Sequence, residues 1–127
     1  MERALGYIGE RFRSITSAAE VAEAAGVGVS QLNRIARVWT GQSIMESVRR
    51  VRVEHARKLL AEPTLSIKEV AAACGFADPY HFSKVFRKID GLPPSEYRAS
   101  VLKISGMGWI VASAREQSGG VRRSGGK

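Results

Sequence analysis

The chain has 127 residues with 20 Lys and Arg against 12 Asp and Glu, a formal net charge of +8 and a pI near 10.3. That length suits one domain or a compact pair of subdomains, and the charge favours a polyanionic partner, nucleic acid before an anionic membrane surface. One cysteine, Cys74, excludes an intramolecular disulfide; no apolar run is long enough to span a membrane and the N-terminus carries no signal-peptide pattern, so a cytoplasmic protein is expected.

In chain order, residues 4–13 put Leu5, Ile8 and Phe12 on one face of a short helix. Ser17-Ala18-Ala19-Glu20 has the spacing of a capping box, in which the serine oxygen accepts from the third helical N–H and the glutamate reaches back. It opens a helix over 18–25 that Gly26 ends, and a second helix follows from Ser30 to Thr40, before Gly41. Ser43-Ile44-Met45-Glu46 is a second capping box and starts the longest helical pattern, with Ile44, Val48, Val51, Ala56 and Leu59 apolar and Pro63 as its stop. Arg52 on this helix is expected in an ion pair with a neighbouring helix rather than in contact with nucleic acid. A third box, Ser66-Ile67-Lys68-Glu69, starts a helix that turns at Gly75 into another over 79–89, whose apolar stripe is Phe82, Val85, Phe86 and Ile89. Pro93-Pro94 begins a final short helix.

The pattern occurs twice. Ser17, Glu20, Val21, Ala22, Ala24 and Gly26 recur 49 residues later as Ser66, Glu69, Val70, Ala71, Ala73 and Gly75. Leu32, Ile35, Ala36, Arg37, Trp39 and Gly41 recur at an offset of 50 as Phe82, Val85, Phe86, Arg87, Ile89 and Gly91. A basic helix held by a partner helix across a glycine turn is the helix-turn-helix arrangement for entering a major groove. The predicted rod between the copies is roughly 27 Å long, against about 34 Å between successive major-groove faces on one side of B-DNA. Two units on one chain could therefore read a non-palindromic site without dimerising.

The second copy, from Ile67 through Val70-Ala71, Gly75-Phe76, Tyr80, Phe82, Phe86-Arg87, Gly91 and Pro93-Pro94 to Tyr97-Arg98, resembles the signature of the AraC/XylS family of bacterial transcription regulators. The resemblance covers residues 4–99. It implies an all-α fold of seven helices, two homeodomain-like three-helix units joined by a long linker helix. The division expected is a first unit over 1–41, a linker helix over 42–62, a second unit over 63–99 and a C-terminal extension over 100–127. It also implies which positions face DNA: Ser30, Gln31, Asn33, Arg34 and Arg37 in the first recognition helix, and Tyr80, His81, Ser83, Lys84 and Arg87 in the second. The chemistry agrees for several of them. Arg34 suits guanine O6 and N7, Asn33 suits adenine N6 and N7, Lys84 suits guanine or phosphate, and Arg37 and Arg87 suit phosphates.

One departure from the family is Ala36, where copy two has Phe86; Trp39, a turn later, is expected to fill the space. Cys74 reads as a small buried hydrophobe. His55, His81 and Cys74 lack metal-ligand spacing, no catalytic constellation or phosphate loop is present, and neither metal, cofactor nor enzymatic activity is expected. The reading is a sequence-specific regulator binding double-stranded DNA, an activator, with a monomer sufficient for binding and RNA polymerase as the further partner activation requires. A regulator naturally this short is favoured over a separated domain. The other reading is an interaction module of the same fold that binds another regulator. The apolar, glycine-broken run 104–112 reads as a strand or docking segment, and 118–127 as a flexible end whose Arg122, Arg123 and Lys127 add phosphate contacts.

Overall fold

A computed structural model describes residues 1–103; the expectations for 104–127 lie outside the described residues. Six helices follow one another: α1 (Glu2–Arg11), α2 (Ala18–Ala25), α3 (Val29–Thr40), α4 (Ile44–Leu60), α5 (Ile67–Ala73) and α6 (Pro79–Asp90). A seventh, α7, begins at 94 and is helical through 103, several residues beyond the short element expected there. Among the described residues the fold is all-α with seven helices, as the family resemblance implies.

The helix starts show how far local sequence reaches. At Ser43 and Ser66 the capping boxes are complete, with Glu46 and Glu69 each bonded back to the cap backbone. At Ser17 only half the box forms. Its hydroxyl accepts from the Glu20 amide, but the Glu20 carboxylate accepts instead from the Thr16 amide at 3.2 Å and from the Tyr7 hydroxyl at 2.7 Å. Tyr7 comes from α1, so this bond joins α1 to α2 as a reciprocal cap would not.

Two apolar clusters form. Ala4, Ile8, Phe12, Ile15, Val21, Ala22, Leu32, Ala36, Ile44 and Val48 make the first, and Val53, Ala56, Leu60, Val70, Ala71, Cys74, Phe76, Phe82 and Phe86 the second. Helix α4 serves both, its first half closing one core and its second half the other. Val53 and Leu60 are fully buried whereas Val51 and Leu59 are only half-buried, a correction of one or two positions to the expected stripe. A single rod supporting two cores on different sides cannot keep one apolar line.

In the second core Phe82 touches Phe76 and Phe86, with ring centroids 5.1 and 5.7 Å apart, and Phe86 meets Tyr97 at 5.4 Å. Among the described residues the first core has no such chain of rings; the one ring that its Phe12 meets is the His55 imidazole of α4, at 5.1 Å. Ala36 is fully covered, and Trp39 does not fill a gap beside it: the indole is 64% exposed. The expected plug is therefore wrong. Trp39 stands in the last turn of α3, past the end of the core it was expected to complete.

Candidate nucleic-acid interface

Each recognition-helix candidate is held by its partner helix through one buried stripe, Leu32 and Ala36 in α3 and Phe82 and Phe86 in α6. The opposite face is then turned outward by helical periodicity. In α3 this face carries Ser30, Gln31, Arg34 and Arg37, all exposed; in α6 it carries Tyr80, His81, Lys84 and Arg87, also exposed. Both helices end at left-handed glycines, Gly41 and Gly91, whose amides donate to the carbonyls of Arg37 and Arg87.

Two of the expected residues are not free on that face. Asn33 is half-buried, and its Oδ1 accepts from the Ile44 amide at 2.9 Å. That amide is the first helical N–H of α4 and has no carbonyl partner within its own helix. This bond ties Oδ1 to the start of α4 and holds the side chain away from the pose that bidentate adenine reading uses, so the geometry favours an internal cap at Asn33 over the adenine role. Ser83, its counterpart 50 residues on, is half-buried as well. The matching first residue of α7 is Pro94, fully buried and without an N–H, so no cap is demanded of Ser83.

Within α6 the Lys84 ammonium lies 5.4 Å from the centre of the Tyr80 ring, a cation–π contact that leaves the ring 74% exposed. The α6 N-terminus is capped by Asp78, which accepts from the His81 amide at 2.8 Å. The His81 imidazole meets Phe76 edge-on at 5.8 Å. Two exposed neighbours were missed in the sequence: Val38, 80% exposed, and Lys88, each one turn beyond Arg34 and Lys84 on the same face. Their four-residue spacing was the available signal.

The faces are not independent, because a polar joint ties the first unit to the second. Arg52, in the middle of α4, is 9% exposed. Its Nε donates to the Phe12 carbonyl at 2.8 Å and its Nη2 to the Ile15 carbonyl at 2.6 Å, while the guanidinium sits 5.7 Å from the centre of the Phe76 ring. The expected ion pair is replaced by two backbone acceptors. An ion pair is found instead between Arg57 and Asp90, at 3.0 Å between α4 and α6. Arg13 donates from Nε to the Ala73 carbonyl at 2.9 Å, and its Nη2 lies 2.9 Å from His55 Nε2. Below it Gly75, at φ +95°, comes so close to the Arg13 backbone that a Cβ would lie 2.7 Å from the Arg13 carbonyl oxygen. Only glycine satisfies both the conformation and the approach.

Cys74, beside this joint, is buried, and burial pushes its thiol up to about 11. Among the described residues no group of three His, Cys, Asp or Glu could hold a metal, and no helix is long and apolar enough to cross a membrane.

A family model described as a helix-turn-helix domain matches residues 21–100. The HTH-type transcriptional regulator YijO of Escherichia coli K12 is 38% identical over 92 residues, 72% of this chain and 32% of that protein. GlxA of Rhizobium meliloti, an HTH-type transcriptional regulator, is 38% identical over 61% of this chain and 24% of its own length. The transcriptional activator RhaR of Salmonella arizonae is 42% identical over 49% of the chain and 22% of its own length. The chain thus spans about a third or less of these relatives. Among solved structures, the DNA-binding domain of AdpA in complex with a target DNA superposes with a TM-score of 0.77 at 26% identity, covering 83% of this chain and 95% of that one. An AraC-type regulator from Chromobacterium violaceum gives 0.73 at 28% identity, covering 79% and 89%.

Proposed function

The chain belongs to the AraC/XylS family of helix-turn-helix DNA-binding domains, a family of transcriptional regulators and not of enzymes, and from that premise we propose that it binds double-stranded DNA sequence-specifically through α3 and α6 in adjacent major-groove segments. The observation that carries the proposal is the doubled exposed face: Ser30, Gln31, Arg34 and Arg37 on one helix, and Tyr80, His81, Lys84 and Arg87 on the other, each opposite a buried stripe. Arg34 and Lys84 read base edges, and Arg37 and Arg87 hold phosphates. Asn33 serves as an internal cap instead. One chain with two units suffices for an asymmetric site. A role in activation, with RNA polymerase as the contact it requires, is supported by the relative RhaR, an activator.

Selection of bound duplexes from a random library at several salt concentrations tests this. The expected result is an asymmetric motif of two blocks about one helical turn apart. Arg34→Ala and Lys84→Ala should each cost about 1–3 kcal/mol and relax preference within one block only. Salt-dependent binding without a motif would leave only a non-specific basic binder, and no binding would favour the interaction module.

A further inference from the structure

Arg13 and Arg52 belong to neither recognition helix, yet between them they make most of the polar contacts that join the two halves of the molecule. A buried arginine without an acidic partner is costly to desolvate. At Arg52 the compensation is specific: the guanidinium fork reaches two carbonyls three residues apart, at Phe12 and Ile15, on the segment leaving α1. The same guanidinium lies against Phe76, and Phe76 in turn meets Phe82 and His81 of α6. From the other side Arg13 reaches the last carbonyl of α5, at Ala73, while its backbone abuts Gly75 in the turn between α5 and α6. The exit of α1 is thus fastened both to the linker helix and to the turn that aims the second recognition helix.

We infer that Arg13 and Arg52 are positioning residues that set the separation and angle between α3 and α6, and so the number of base pairs between the two DNA blocks that the chain accepts. The inference rests on the two-helix reading proposed above. A rod alone leaves a three-helix unit free to swing about the rod's end, whereas a joint with contacts on two sides of the segment 12–15 does not. Inserting one base pair moves a block by about 3.4 Å and turns it by about 35°. A rigid pair of helices cannot follow that change, and a released pair can.

The test measures affinity for duplexes carrying both selected blocks with the spacing changed by one base pair in either direction, and for duplexes carrying one block. The wild-type chain should lose at least about tenfold on each spacing change. Arg13→Ala, which truncates an exposed side chain, should bind single blocks as the wild type does but lose less than about threefold on the same change. Arg52→Lys keeps a charge but not the two-carbonyl fork, and should shift in the same direction. An undiminished spacing penalty in folded Arg13→Ala overturns the inference while leaving the two-helix reading intact. A wild-type chain that selects one block and ignores spacing overturns both.

Discussion

The Oδ1 of Asn33 accepts the first amide of α4, from Ile44, at 2.9 Å, so a residue on a recognition helix closes the start of the helix that follows it. Asn33→Ala should therefore act on the fold. It leaves a half-buried helical N–H without a partner, and a cost of about 1 kcal/mol in denaturant unfolding is expected. Base preference, measured by selection, should stay as in the wild type. A relaxed base position at unchanged stability would return Asn33 to the reading face.

Trp39 supplies a second prediction. An indole filling the space beside Ala36 would cost about 3–5 kcal/mol on truncation. At 64% exposure it does not occupy a core, and Trp39→Ala should change stability by less than about 0.5 kcal/mol. Urea unfolding decides between the two magnitudes.

The two cores also differ in what a substitution does at equivalent positions. Phe86 is fully buried between Phe82 and Tyr97, and Phe86→Ala should cost about 3–5 kcal/mol. Ala36 is also fully buried, so Ala36→Phe imports a ring into a closed core and should destabilise by about 1–3 kcal/mol or more. A stabilised Ala36→Phe chain would reveal unfilled space in the first unit.

These particulars mark what was legible in the sequence. Features set by short spacing were readable: the boxes at Ser43 and Ser66, the two buried stripes and the outward face opposite each. Features set by a distant partner were not. Tyr7 takes the Glu20 oxygen from 13 residues away, Arg52 finds its acceptors 40 and 37 residues upstream, and Asn33 reaches 11 residues ahead. Periodicity places a side chain on a face but does not say which backbone group will come to meet it. Among polar residues the choice between a reading role and an internal bond is therefore a tertiary fact. The repeat sharpened the comparison without deciding it, since Asn33 and Ser83 align although only Asn33 faces an N–H that needs an acceptor.

The joint also predicts a pH response. His55 Nε2 lies 2.9 Å from the Arg13 guanidinium, and the imidazole rests against the Phe12 ring at 5.1 Å. A guanidinium can only donate, so this ring nitrogen must be the unprotonated acceptor. Burial first, then the positive charges of Arg13 and Lys58, holds the His55 pKa below the ordinary histidine value of 6.5. The folded chain thus favours neutral His55 more than the unfolded chain does. The associated stability is complete above 6.5, falls as pH drops from 6.5 through the lower folded value, and is absent below it. Glu20 and Glu46 behave separately: hydrogen bonds hold both below 4.5, so their contribution persists above 4.5 and is lost only as pH falls through their lower folded values. Between about pH 6.5 and about pH 5 the decline therefore belongs to His55 rather than to the carboxylates. Urea midpoints measured from about pH 7.5 to about pH 5 should fall in the wild type, and His55→Gln, which keeps an acceptor for Arg13 but cannot titrate, should flatten that slope. An equal slope in the two chains would remove His55 from the joint's pH response.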